Sequence, residues 1–370
     1  MLLRRIPLWQ YHSPPPPPLQ HAITNLSEDT QRSEHQIKVD SANATSRIDA
    51  YESANRGVHE NLVKVALRVF ITWLPPEGSA NIVNRINDAS LKRGDQGIYE
   101  EFANLYTGLR ARMHAQSKPP TITESHNERS MHNVNSISSQ LDEPGRRQIN
   151  FRNGLLNRDH HRCVVTGDMD VMERERRGDP PEIELFGKVE GAHIIPFSYG
   201  TWKGQLSAST YEISKAWEVL LRCFPAIQQA GFGPNDINHL SNGMVLRSWL
   251  HTAFREFSFA FKATENRHVY EIDILGKFDK RELPYFPAKV DFRGCEGPVE
   301  DYPKPELLEC HWRLGKILHA SGMAEAFEKD FREWDELKGL HRLRPDGQTD
   351  IGDVLSHHPD LWAYVCAQEA

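Results

Sequence analysis

Two histidines and one asparagine in the middle of the chain are the residues best placed for chemistry. His193 follows the short run that opens VEGAHIIPFSYG (Val189 to Gly200). Asn242 opens the apolar run of LSNGMVLRSWLHTAF (Leu240 to Phe254), and His251 comes nine residues after it. Imidazole titrates near neutrality, so a histidine at a strand end can take a proton at physiological pH. A side-chain amide can orient such a ring or pin the loop beside it. A third segment, NRDHHRCVVTG (Asn157 to Gly167), adds Asp159, His160, His161 and Cys163.

The elements that must position these groups are legible from periodicity. Val189 to Ile195 and Met244 to Leu246 read as short strands, and SWLHTAFREF reads as helix, which makes strand, strand, helix with His, Asn and His upon them. Cys163 to Thr166 is a further β-branched run. Phe257, Phe259 and Phe261 share one face, as do Tyr270, Ile272 and Ile274, and the two runs pair as a hairpin around Ala263 to Arg267. Upstream, Leu62, Val63, Ala66, Leu67, Phe70 and Leu74 form a helical stripe that Pro75-Pro76 ends. Helical text recurs at Ala80 to Asn87 and Ile98 to Arg112. Near the end, Leu307, His311, Leu314, Ile317 and Leu318 share a stripe, with Gly322 as the expected C-cap.

The expected organisation is a disordered proline-rich arm over 1–56, a helical region over 57–115, a linker over 116–146, a central domain over 147–290 and a helical region over 296–370. The run Pro14 to Pro18 reads as a polyproline spacer. No stretch approaches the roughly 20 apolar residues that a membrane span needs. The apolar start is broken at Pro7, so a secretory signal is not expected. Five widely spaced cysteines form no CxxC pair, which argues for a reducing, intracellular setting and against a thiolate zinc knuckle. The 370 residues carry a net charge of -7. Between Phe151 and Tyr270, however, basic and acidic residues are equal in number, so the excess acid lies in the flanks. A nucleic-acid partner is therefore compatible with the charge, but counterion release would drive binding only weakly.

With GAHIIP, then NGMVL, then LH, the central segment resembles the HNH endonucleases, the ββα-metal or His-Me finger superfamily. Asn242 and His251 keep the family's spacing without a gap. Cys163 and Thr166 occupy the first CxxC positions and Arg247 and Leu250 the second, so the likeness is to a zinc-less branch with CxxTG, AHIIP and LH. Fungal proteins of that branch continue, as here, with an aromatic hairpin (FSFAF) and a helical tail containing ILHASGMAE.

The resemblance implies an α+β protein: a central ββα-metal module with an added β-hairpin, between helical segments. It implies hydrolysis of nucleic-acid phosphodiesters, DNA foremost, with a divalent metal, Mg²⁺ or Mn²⁺ ahead of Zn²⁺. His193 would be the general base, Asn242 would orient it or pin the loop, and His251 would be the helix-borne metal ligand. Both imidazoles would then face one pocket. Two positions depart from the family pattern. Ala192 stands where many relatives carry a second ligand, and Arg255 stands where an acid often follows the last histidine. Arg255 and Arg247 become candidate phosphate contacts. Strand alternation turns Glu190 away from the His193 side, leaving Asp159, His160, His161 and Glu256 as stand-in ligands. The departures also admit a second reading, a catalytically decayed HNH module that binds nucleic acid or protein in a regulatory role. A third is an interaction factor working through its proline arm and C-terminal helices.

Overall fold

The structure is a computed structural model and describes residues 36–110, 148–182, 185–199 and 207–330. The proline run, the linker expected over 116–146 and everything after Asp330 lie outside the described residues. The chain is helical from 36 to 50 (α1), where a disordered arm was expected. Ala44 and Ile48, four residues apart, are both fully buried, and Tyr51 follows them into the core. That apolar spacing is too sparse to stand out amid the polar text around it. α2 spans Val63–Trp73 and buries Val63, Ala66, Leu67 and Phe70 as the stripe requires; Leu74, held extended by the proline after it, ends the helix. The two helical stretches expected next form a single element, α3 (Pro76–Arg110), broken at Gly94, whose positive φ of 57° suits glycine.

The central segment opens with α4 (Gln148–Arg158) and a turn at Cys163–Thr166. The turn replaces the strand its β-branched residues suggested. Its Cys163 Sγ accepts the Thr166 N–H at 3.4 Å, and the Val164 N–H bonds the Val245 carbonyl. β1 (Met169–Asp170), α5 (Val171–Arg176) and β2 (Phe186–Gly187) follow, with β1 and β2 parallel. β3 (Val189–His193) comes next, and then α6 (Ser207–Cys223) and α7 (Pro225–Gln229). β4 (Gly243–Arg247) returns antiparallel to β3, pairing Val189 with Arg247 and His193 with Gly243, and runs directly into α8 (Ser248–Arg255).

α6 was not read from the sequence, although Ile213, Ala216, Trp217, Leu220 and Cys223 repeat at helical steps and are all buried. It packs on α3, and the pair encloses a charge cluster in which Glu101 meets Arg85 at 2.8 Å and Arg222 at 3.4 Å. Burial opposes ionisation of Glu101, but Arg222 and Arg85 outweigh it and hold the carboxyl below its ordinary range. The same helices brace the chain beyond β3. The Tyr199 carbonyl accepts from Trp217 Nε1 at 2.9 Å, and the Tyr199 hydroxyl donates to the Gly108 carbonyl at 3.2 Å.

The expected hairpin is present as β5 (Phe259–Ala263) and β6 (Val269–Ile274), and β7 (Lys289–Asp291) adds a third antiparallel strand. α9 (Pro305–Ser321) ends at Gly322 with φ 74°, the left-handed cap expected there. His311, read as a packing or surface residue, lies buried on α9. Its ring is stacked between Phe254 at 3.8 Å and Phe257 at 4.4 Å, with Nε2 bonded to the Phe254 carbonyl. One hydrophobic core thus runs from Ala44 to Phe327, joining segments that the sequence had suggested as separate units. No helix among the described residues is long and apolar enough to cross a membrane.

Candidate active site

His193 ends β3, directly opposite Gly243. α4 and β3 both press so close here that a Cβ on Gly243 would lie 2.5 Å from the Phe151 ring and 2.7 Å from the Ala192 carbonyl. That approach lays the His193 ring on Phe151, with centroids 4.0 Å apart and 17° between planes, while Phe197 closes another side at 5.6 Å. Nε2 bonds Asn238 Oδ1 at 3.0 Å. Burial among these rings pushes the His193 pKa down to about 4; the Asn238 bond opposes the shift and the charge of His251 adds to it. The ring is therefore neutral at physiological pH. Because an amide oxygen only accepts, Nε2 carries the proton and Nδ1 the lone pair.

Asn242 is fully buried and does not bond the imidazole. Its Oδ1 accepts the Ile195 N–H at 2.8 Å, and its Nδ2 donates to the carbonyls of Ile195 (2.9 Å) and Ile237 (2.8 Å). It thereby staples the chain leaving β3 to the loop entering β4. Of the two tasks considered for this amide, the structure displays the loop contact, and Asn238 holds the ring. Beneath this loop lies a buried pair that sequence reasoning missed. Arg158 contacts Asp159 at 2.7 Å and donates to the carbonyls of Leu240, Gly243 and Asp301, while Asp159 accepts the Val245 N–H at 2.8 Å.

His251 lies on α8, beside β3. Glu190 and His193 stand an odd number of residues apart on an unbroken ladder, so their side chains leave opposite faces. The face of Gly191 and His193 is covered by α4; the face of Glu190 meets α8. The two imidazoles thus leave the strand pair on opposite faces, although His193 ends its strand and the charge of His251 still acts on it. Glu190, set aside because it points away from His193, is for that reason on the side of His251: its Oε2 lies 2.7 Å from His251 Nδ1. Its Oε1 meets Lys188 Nζ at 2.7 Å and Ser248 Oγ at 3.1 Å. Burial works to raise the Glu190 pKa, but the bonds from Lys188, His251 and Ser248 prevail and bring it down to about 2.

Ala192 is fully buried on that same face. Arg255 stands at the exposed end of α8, 3.4 Å from Glu256. Arg247 is drawn into the fold instead: it pairs with Asp168 at 3.3 Å, and its guanidinium fills the space that a Cβ on Gly187 would occupy. The pair joins the Cys163 turn to the start of α8, the two places where the zinc-bearing form carries its cysteines. Of the other stand-in ligands, Asp159 is engaged with Arg158, His160 with Glu296 and Glu256 with Arg255, and the charge of His161 acts on Glu173. Among the described residues no group of three His, Cys, Asp or Glu side chains could hold a metal ion.

A strand pair ending in a neutral histidine, a buried asparagine stapling the return loop and a second histidine on the next helix make a compact α+β module. Residues 163–262, just over a quarter of the chain, match the family model of the HNH endonucleases, and the protein carries an HNH endonuclease domain. The match runs from the Cys163 turn through β3, β4 and α8 into the first strand of the hairpin. The chain has no match among curated proteins or solved structures.

Proposed function

We propose that this domain is an endonuclease that hydrolyses nucleic-acid phosphodiester bonds, DNA foremost, with a divalent metal. The observation that carries the reading is the state of His193 within an HNH endonuclease domain: a neutral ring at a strand end, with Nδ1 left to accept a proton. In the proposed step a water gives its proton to Nδ1 as its oxygen bonds phosphorus, and the ester oxygen departs with the bond's electron pair. Asn242 keeps the strand exit in place. Arg255, exposed at the end of α8, serves as the phosphate contact.

His251 and Glu190 suit a divalent ion. With Nδ1 bonded to the carboxylate, His251 has Nε2 to offer, the carboxylate–histidine arrangement that commonly backs a metal-bound imidazole. One protein donor leaves the remaining positions to water and phosphate oxygens, which suits Mg²⁺ or Mn²⁺ better than Zn²⁺. When bound, the ion would neutralise charge on the phosphate oxygens.

Purified protein incubated with supercoiled plasmid, linear duplex, single-stranded DNA and RNA, in Mg²⁺, Mn²⁺ or Zn²⁺, tests the proposal. Nicking or cleavage that disappears in His193→Ala is the expected result. No cleavage under any condition, or a His193→Ala variant as active as wild type, overturns it.

A further inference from the structure

We infer that Asn238 is the positioning residue of the site, holding His193 in the one tautomer that leaves Nδ1 free to take a proton. The inference rests on the role proposed for His193. Its physical basis is an amide oxygen 3.0 Å from Nε2 on a ring already clamped by the stack on Phe151. Stacking fixes the plane of an imidazole but not which nitrogen bears hydrogen, and it permits a half-turn of the ring. A hydrogen bond to an acceptor-only oxygen fixes both.

Asn238 is itself held on either side. Asn242 Nδ2 bonds the carbonyls of Ile237 and Ile195, and Arg158 Nη1 bonds the carbonyl of Leu240 at 2.9 Å, so the loop around Asn238 is tied to the chain leaving β3 and to α4. The two asparagines therefore divide the work. Asn242 fixes backbone, and Asn238 uses that backbone to fix the ring.

The choice of an amide over an acid has a chemical consequence. An aspartate in the same place would accept the same bond but stabilise imidazolium, leaving the ring already protonated near neutrality and unable to act as base. Around His193, α4 presents Phe151 with Arg152 beside Gly191, α8 presents the charge of His251, and the loop presents Asn238 and, next to it, His239 turned to Ser241. Among the described residues, no carboxylate is one of the groups acting on this ring.

The test uses the full chain with ¹⁵N-labelled histidine. Long-range proton–nitrogen correlation spectra report the tautomer and titration of His193 in wild type, Asn238→Ala and Asn238→Asp, and plasmid nicking with Mn²⁺ is followed alongside. The expected wild-type ring is Nε2-protonated. Asn238→Ala should mix the tautomers and lower kcat roughly 10- to 100-fold with little change in KM. Asn238→Asp should keep the Nε2–H form and move both the His193 titration and the acid limb of the rate profile to higher pH. A wild-type ring protonated on Nδ1, an alanine variant that keeps a single Nε2–H tautomer, or an aspartate variant with an unmoved titration would overturn the inference. Spectra that behave as expected in a protein that cleaves nothing would sustain the positioning role while refuting the proposed reaction.

Discussion

The carboxylate of Glu190 lies 2.7 Å from Nδ1 of His251, tying the first strand of the site to the helix that follows the second. Three donors, from Lys188, Ser248 and His251, converge on that carboxylate and keep it ionised far below neutral pH. His251 is thus held by a permanently charged partner with its other nitrogen turned away from the bond.

Glu190→Gln should weaken Mn²⁺ binding about 10- to 100-fold by calorimetry, the usual loss when the partner of a metal-bound histidine is neutralised. It should leave the fold intact, since the amide still accepts from Ser248. Unchanged Mn²⁺ affinity in this variant would separate Glu190 from any metal role.

His193 gives the protein a distinct pH dependence. Its folded pKa of about 4 lies below the ordinary 6.5, so the unfolded chain binds the proton more readily. The contribution to stability is complete above pH 6.5 and declines as pH falls from there toward 4. Thermal melts across that range should show the decline in wild type and a shallower one in His193→Gln. Nicking activity should persist below pH 6, because the base remains unprotonated there.

Asn242→Ala leaves an N–H and two carbonyls without partners, at about 1–3 kcal/mol for each buried group left unpaired. Denaturant titration should show it to be the more destabilising of the two asparagine truncations, since Asn238→Ala removes a bond to a side chain. A larger loss of stability from Asn238→Ala would reverse the division of labour drawn between them.

Arg158 and Asp159 form a buried pair whose other bonds run to backbone of the return loop, β4 and Asp301 and to the Cys295 thiol. Removing one partner alone strands a charge in the core. Arg158→Leu should therefore cost about 3–5 kcal/mol in chemical denaturation. Loss of nicking should follow, because Leu240 and Gly243 flank Asn242.

Arg255→Ala should weaken DNA binding by a similar factor for all sequences and reduce the slope of log affinity against log salt by about one, the signature of a single lost phosphate contact. Fluorescence anisotropy at several salt concentrations measures both. Arg247→Ala should instead lower the melting temperature, since Arg247 is engaged with Asp168 and Gly187.

What the sequence by itself determined about this protein is local. Short apolar runs marked β3 and β4, alternation marked the hairpin, a helical stripe and a terminal glycine marked α9, and the spacing of His193, Asn242 and His251 pointed to the family. Each signal arises between residues that are near neighbours in the chain, where strand or helix geometry imposes a period. Local signals also misled: Cys163 to Thr166 has strand-forming residues yet closes as a turn, and α1 hides its two buried positions in polar text. Only the tertiary structure decided what the site residues touch. Asn238 reaches His193 across 45 residues and Glu190 reaches His251 across 61. No pattern marks such pairs, because they are fixed by how α4 and α8 pack on opposite faces of one strand pair. That packing set the two imidazoles on separate sides, turned Arg247 inward, and made a partner of Glu190.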